Sequence, residues 1–381
     1  MLPLPDAFRQ LYGQPPRLFR APGRVNLIGE HTDYNDGFVM PVAIDLACCV
    51  AIAPRDDRRL VVRSQNLQET VELDLDEGGP SPRKSWTDYV QGVVVVLQQS
   101  GRRLRGANGL IHSEVPIGSG LSSSAAFEVA TGLALLSNSA EPMKKLDLAR
   151  ACQRAENEFV GARCGIMDQF AACFGQAGHA LLLDCRSLES RPLPLPPEVA
   201  LVICDSGVRH ELAGGEYNTR RAQCEIGVRV LARHRPQIHA LRDATMDDLE
   251  RDRKELDEVV YRRCRHVITE NARVLQAAEA LEKGDLREFG RLMAESHRSL
   301  REDYEVSCAE LDLLEELAGH SAGAYGARMT GGGFGGCTIN LVERDQVEEF
   351  RRSVSVGYQQ ATGRLPKIYI CEAAAGAGEV E

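Results

Sequence analysis

No stretch of this chain is apolar for long enough to cross a bilayer. Its longest runs, such as GVVVVL at 92–97, fall far short of the about twenty residues a spanning helix needs. An excess of basic charge is also missing. The formal net charge is −10, which argues against a general nucleic-acid surface, because such a surface needs a basic patch. It leaves room for a small anionic ligand held by a few backbone amides. No two of the twelve cysteines are spaced C-x-x-C, and nothing ahead of Cys48 resembles a secretory signal. Scattered thiols of this kind point to buried structural cysteines in a reducing cytoplasm. The common phosphate loop G-x-x-x-x-G-K-[ST] is absent, and His210, which opens HELAGG, lacks the second histidine of H-E-x-x-H, so zinc-protease chemistry is excluded.

What is present is a chain of 381 residues with 43% hydrophobic and 26% charged residues, soluble in composition and too long for one ordinary core. Short β-like runs fill the first half: RVNLI (24–28), FVMPVAI (38–44), CCVAIA (48–53), LVVRS (60–64) and ANGLIHSEV (107–115). Helical patterns follow at 122–137 and 146–161, the second with Asp147 as its cap and Gly161 beyond its end. A first short helix is expected to be capped by Asp6 and to end near Gly13. Strands recur at 179–184 and 200–207, with the Pro-rich RPLPLPPE (191–198) between them. Residues 216–320 are charged and helix-patterned, KIYICE (367–372) is a last strand, and the tail AAAGAGEVE is expected to be loose. The fold class is α+β, with lobes at 1–199 and 200–381.

Three polar or Gly-rich loops carry the candidate chemistry. VPIGSGLSSSAAFEVA (115–130) places Gly118 and Gly120 ahead of three serines at a helix start. The unpaired N–H groups there make a phosphate cradle, and a serine hydroxyl can ligate Mg²⁺. The bland alternative is a Ser-capped helix after a turn. GGGFGG (331–336) satisfies G-x-G-x-x-G but precedes a strand rather than a helix, so a tight loop packed near a ligand is the better reading than a nicotinamide site. In GRVNLIGEHTDYNDG (23–37), an apolar run ends in a dense set of polar groups, which reads either as a solvated turn or as a polar binding site. Taken alone, Asp168 in CGIMDQFAACFG is a helix-terminus charge, Glu156 a solvated face residue, and Trp86 either core packing or a ring that stacks on a base.

Together these stretches resemble the galactokinases of the GHMP small-molecule kinases. GRVNLIGEHTDYNDG is similar to their signature, PIGSGLSSSAA to their phosphate-binding motif and MTGGGFGGCTINLV to their third motif. CGIMDQF, SGVRHELAGGEYNTRR (206–221) and ESHRSLREDYEVSCAELD (295–312) are family-like too, so the likeness runs from about residue 17 to 371. Ser119 stands where relatives vary among small residues.

The resemblance implies a two-lobed fold with the site in the cleft between lobes. The implied reaction moves the γ-phosphate of ATP to the C1 hydroxyl of α-D-galactose, the first committed step of galactose catabolism. Glu30, His31, Thr32, Asp33, Gly165 and Tyr217 would bind the sugar. Asp168 would accept the C1 proton or orient that hydroxyl, paired with Arg24. Gly118, Ser119, Gly120, Leu121, Ser122, Ser123 and Ser124 would wrap the phosphates, with Ser64 and Trp86 near adenine. Ser124 and Glu156 would hold Mg²⁺. No obligate protein partner is implied. The alternatives are a kinase for N-acetylgalactosamine or arabinose, whose members tend to break the HTDYN stretch, and a non-catalytic galactose and ATP sensor with a shortened Ser/Ala loop. Both stretches are complete here.

Overall fold

The computed structural model describes residues 2–77, 81–209 and 213–380; His210 lies outside them. In chain order the elements are α1 (Leu4–Tyr12), β1 (Arg17–Asn26), β2 (Phe38–Val39), β3 (Pro41–Pro54), β4 (Arg59–Ser64), β5 (Thr70–Asp74), α2 (Thr87–Gln99) and β6 (Ala107–Ser113). Then come α3 (Ser123–Asn138), α4 (Lys145–Arg154), α5 (Met167–Phe174), β7 (His179–Asp184), β8 (Ser190–Pro194) and β9 (Val199–Asp205). The second half adds α6 (Ala213–His234), α7 (Met246–Arg251), α8 (Glu258–Glu282), α9 (Leu286–Ser299), α10 (Ala309–Gly319), β10 (Ala324–Thr330), β11 (Cys337–Glu343), α11 (Val347–Thr362), β12 (Lys367–Cys371) and β13 (Gly378–Val380).

These strands form a six-stranded sheet ordered β13-β1-β3-β6-β4-β5, a four-stranded sheet ordered β10-β11-β9-β12 and a small sheet β2-β7-β8. Helices α3 and α5 pack on β1 and β3 of the first sheet, and α2 and α4 pack against α3. One continuous apolar core runs through them and reaches Leu201 and Ile203 on β9, Ile339 on β11 and Met293 on α9. A second cluster joins α6, α7 and α8 to Tyr304, and a third packs Phe350 and Tyr358 of α11 on the four-stranded sheet. Among the described residues no helix is long and apolar enough to cross a membrane.

Several sequence expectations are corrected. The tail is not loose: β13 pairs antiparallel with β1, Leu18 opposite Val380, and Arg17 donates to Glu379 at 2.7 Å. Asp6 does not cap α1 but lies in its first turn and accepts from Arg9 at 3.1 Å, while Gly13 ends the helix at φ 70°. Asp147 likewise sits inside the first turn of α4, behind Lys144. The runs at 38–44 and 48–53 are largely one strand, β3, which runs through the more exposed Asp45 and Leu46 and pairs with β1 on both sides of them. RVNLI is the end of a longer strand that stops at Asn26. GVVVVL, to which the sequence alone assigns no element, is the body of α2, where Gly92 lets the helix approach Ala155 and Phe159. The helix predicted over 146–161 is α4 continued by a π-helical turn, Ala155–Val160, that ends at Gly161.

Candidate active site

The polar turn after β1 is held from behind by α8. The Gly29 N–H donates to Glu270 Oε1 at 2.9 Å, the Phe38 N–H donates to Asn271 Oδ1 at 2.9 Å, and His266 Nε2 meets the Glu30 carbonyl at 3.1 Å. Burial opposes the charge on Glu270, yet Arg273, His266 and Arg328 hold its carboxyl down at about 2. A buried anion therefore anchors a strained turn, in which His31 has φ 63° and Asp36 φ 57°. From the other side, Glu30 Oε1 accepts from the Gly331 N–H at 2.7 Å and the Thr330 hydroxyl at 3.2 Å, with Arg328 at 3.7 Å. The turn is thus fixed between α8 and the end of β10.

Its side chains face a cavity of about 280 Å³ that takes walls from both halves of the chain. Arg24, Glu30, His31, Asp33, Asp168 and Tyr217 line it, with Gly331 to Gly333 closing one side. Arg24 on β1 reaches Asp168 Oδ1 with Nε and Nη2, both at 2.8 Å, and donates Nη1 to the Gly120 carbonyl. Asp168 stands in the first turn of α5, as its sequence position suggests, and its Oδ2 accepts from the Ser122 hydroxyl. Burial, then the charges of Asp168 and Glu30, raise Asp33 to about 7. Burial raises Glu30 as well, against the pull of Arg328 and Arg24, and drives His31 well below its ordinary value. The cavity is therefore rich in carboxyl groups that resist ionisation and can both donate and accept, suited to a neutral polyol.

A second cavity, about 310 Å³, opens at the N-terminus of α3 and shares Gly118 with the first. Trp86, Tyr89 and Phe127 form its apolar wall, the Trp86 ring edge-on to Phe127 at 6.1 Å. Ile117 and Leu67 stand at its mouth, 64% and 40% exposed. Such open apolar surface beside rings suits a flat heterocycle. Ser64, Ser123 and Ser124 supply polar edges. No side chain caps α3, so its first N–H groups remain available to an anion.

Several expected ligand contacts are directed elsewhere. The Thr32 hydroxyl bonds the carbonyls of Gly29 and Phe38, at 2.8 and 2.7 Å, and holds the turn rather than lining the cavity. Gly165 lies behind Asp33, where a Cβ would stand 2.1 Å from Asp33 Oδ2, and faces an adjoining polar cavity. Ser119 donates to the Pro116 carbonyl and Leu121 is fully buried. Ser122, at φ 56°, turns its hydroxyl to Asp168 instead of the nucleotide cavity.

Glu156 sits on the π-helical turn, lines the polar cavity, and is hydrogen-bonded by Ser124 from the N-terminus of α3. Gln169 also donates to its Oε2 at 2.7 Å. Burial and the charge of Asp168 raise Glu156 to about 7. A hydroxyl and a carboxylate meeting where the two cavities join are hard oxygen donors, the set that Mg²⁺ prefers beside phosphate.

Sequence reasoning missed Arg328 and Glu270, while the glycines it placed near a ligand, Gly118, Gly120 and Gly331 to Gly333, do line the cavity. A charged residue inside the strand AYGARMT was a readable signal for Arg328; Glu270, one acid among many on α8, offered none. GGGFGG gains its reason here: a Cβ at Gly331 would come within 2.7 Å of the Gly120 carbonyl, and one at Gly336 within 2.7 Å of the Ser119 carbonyl. The two Gly-rich loops pack backbone to backbone, and the dinucleotide reading has no support.

Such paired cavities on this fold define a GHMP-type small-molecule kinase. Residues 88–176 match the model of the GHMP kinases N terminal domain, and residues 277–359 that of the GHMP kinases C terminal. Residues 6–54 match the galactokinase galactose-binding signature. The chain is 52% identical over 378 residues to the galactokinase of Roseiflexus sp. (strain RS-1), covering 99% of this chain and 96% of that one. It is 52% identical over 371 residues to the galactokinase of Chloroflexus aggregans, covering 97% and 95%. The crystal structure of Lactococcus lactis galactokinase complexed with galactose matches at TM-score 0.94 and 35% identity, over 99% of both chains. The chain belongs to the galactokinase family. A mevalonate kinase at 19% identity and TM-score 0.65, covering 93% of this chain and 98% of its own, shares the fold.

Proposed function

We infer that this chain phosphorylates α-D-galactose at its C1 hydroxyl with ATP, giving α-D-galactose 1-phosphate and ADP. The observation that carries the reading is the Arg24–Asp168 pair on the floor of a polar cavity whose Gly118 lip opens directly into the cavity at the head of α3. Galactose occupies the first cavity and ATP the second, so the γ-phosphate and C1 hydroxyl meet at the shared lip. Phosphoryl transfer depends mainly on positioning and charge stabilisation, and this site supplies both.

Glu30, His31, Asp33 and Tyr217 orient the sugar, while Thr32 and Gly165 shape the turn and the seat of Asp33. Asp168 Oδ2 exchanges the Ser122 hydroxyl for the C1 hydroxyl and takes its proton, and Arg24 stabilises the negative charge that develops. Trp86, Ser64 and Phe127 hold adenine, and the N–H groups from Gly118 to Ser124 hold phosphate. Ser124 and Glu156 would hold Mg²⁺, which supplies charge neutralisation of the phosphate oxygens when bound. All twelve cysteines are free, in keeping with a cytoplasmic enzyme.

The test is ADP release from Mg·ATP with galactose, glucose, N-acetylgalactosamine and arabinose offered separately. Turnover is expected on galactose and is expected to vanish in Asp168→Asn. Equal turnover on glucose would overturn the substrate assignment, and an active Asp168→Asn would overturn the role of Asp168.

A further inference from the structure

The sugar-facing cavity is lined mainly by groups that donate or accept according to their protonation. Glu30, Asp33 and Asp168 are carboxyl groups, and Arg24 is already committed to Asp168 and Gly120. A sugar hydroxyl both donates and accepts, so the wall needs a donor that stays a donor. His31 lines this cavity, and its Nε2 is buried with no well-formed hydrogen-bond partner, the Gly332 backbone standing beside the ring. Whether that nitrogen carries a proton depends on what its other nitrogen does.

Behind His31 runs a chain of hydrogen bonds. His31 Nδ1 meets the Tyr34 hydroxyl at 2.8 Å, Tyr34 meets the Tyr304 hydroxyl at 2.8 Å, and Tyr304 meets Cys224 Sγ at 3.1 Å. Tyr304 and Cys224 are buried. The Asn35 side chain, which donates to the His31 carbonyl at 2.9 Å, also bonds Cys224. Each member has one proton to give along the chain, so all bonds run in one direction or all in the other.

The two directions are unequal. In one, the thiol donates to Tyr304, Tyr304 to Tyr34, and Tyr34 to the imidazole nitrogen, the best acceptor in the set. In the other, the chain ends with a phenol donating to sulfur, a weak acceptor already approached by the Asn35 amide. Mutual polarisation along the chain strengthens whichever direction is adopted, so the end groups decide between them.

We propose that Cys224, Tyr304 and Tyr34 act as positioning residues that fix the Nε2–H tautomer of His31, making it a committed hydrogen-bond donor to one sugar oxygen. That oxygen accepts from His31 while its own proton goes to a neighbouring carboxyl group, so a hydroxyl fits on both counts. An analogue lacking that hydroxyl leaves the Nε2–H and the carboxyl group unpaired together. This rests on the galactose reading of the cavity.

The tautomer can be read directly by long-range ¹H–¹⁵N correlation spectroscopy of ¹⁵N-histidine-labelled protein, with His31→Gln to assign the signal. The ligand-free wild type is expected to show protonated Nε2 and bare Nδ1. Tyr34→Phe is expected to shift the Nδ1 resonance, mix the tautomers and raise the galactose KM about tenfold, with a smaller change in kcat. Cys224→Ser, which keeps a donor, should preserve the wild-type tautomer, whereas Cys224→Ala should weaken it. A wild-type His31 protonated on Nδ1, or a Tyr34→Phe protein that folds with unchanged ¹⁵N shifts and unchanged KM, would overturn the proposal while leaving the kinase reading intact. The expected tautomer with no response of His31 to added galactose would overturn the cavity assignment, and the donor role with it.

Discussion

Arg24 donates in two directions, from Nε to Asp168 Oδ1, with Nη2 also 2.8 Å from that oxygen, and from Nη1 to the Gly120 carbonyl. A lysine offers a single mobile ammonium and cannot hold both partners in that geometry. Arg24→Lys is therefore expected to lower kcat about a hundredfold with little change in the melting temperature, measured by ADP release and thermal denaturation on the same samples. Asp33 carries a pH signature. Its folded carboxyl titrates at about 7 because burial and the nearby Asp168 and Glu30 disfavour its charge, whereas an unfolded Asp titrates near ~3.9. A raised acid contributes stability that is fully present below the unfolded value and is lost as pH rises through the folded one. Urea unfolding of ligand-free wild type and Asp33→Asn should accordingly diverge between about pH 5 and 7, the variant gaining up to ~1 kcal/mol per pH unit. A constant gap would contradict the buried seat of Asp33. At this scale the consecutive motif residues were legible through the family resemblance, since a dense polar set after an apolar strand alone fits a solvated turn as well. The partners of Thr32, Ser119 and Ser122 were not, since a hydroxyl that serves a turn and one that serves a ligand look alike in sequence.

Helix α8 and the loop after β10 clamp the sugar turn from opposite sides. Asn271→Ala removes the acceptor for the Phe38 N–H and leaves a largely buried donor unpaired, at a cost of about 1–3 kcal/mol. The expected kinetic result is a higher galactose KM with the ATP KM unchanged, because α8 does not line the nucleotide cavity. Gly331→Ala should behave differently. Its φ is 87° and its added Cβ would press on the Gly120 backbone, separating the loops that frame both cavities. Both KM values are expected to rise about tenfold or more, and steady-state kinetics with each substrate varied in turn would show it. Helix periodicity made α3, α4 and α5 readable. The π-helical turn that carries Glu156 was invisible, because one extra residue in a helical turn leaves the apolar spacing almost unchanged.

The whole molecule closes its first sheet with its own last residues. β13 covers the free edge of β1, and Arg17 ties to Glu379. Truncation after Ala377 should lower the melting temperature by several degrees and leave both KM values within about twofold, since none of the removed residues lines either cavity. A truncated chain with unchanged melting behaviour would show that the edge contact is dispensable. Composition and order of motifs conveyed the α+β class, and the family resemblance a site between the halves; the second cavity, walled by the first half alone, was not foreseen. The returning tail escaped notice because Gly, Ala and Glu carry little strand propensity, and only the waiting edge of β1 recruits them.

The measurement that tests the central claim most directly is NMR of the product formed from galactose and Mg·ATP. A phosphorus coupled to the anomeric proton, with one ADP per sugar consumed, is the result predicted by an Asp168 and Arg24 site facing the C1 hydroxyl. Phosphate on any other oxygen, or ADP formed without a sugar phosphate, would contradict it.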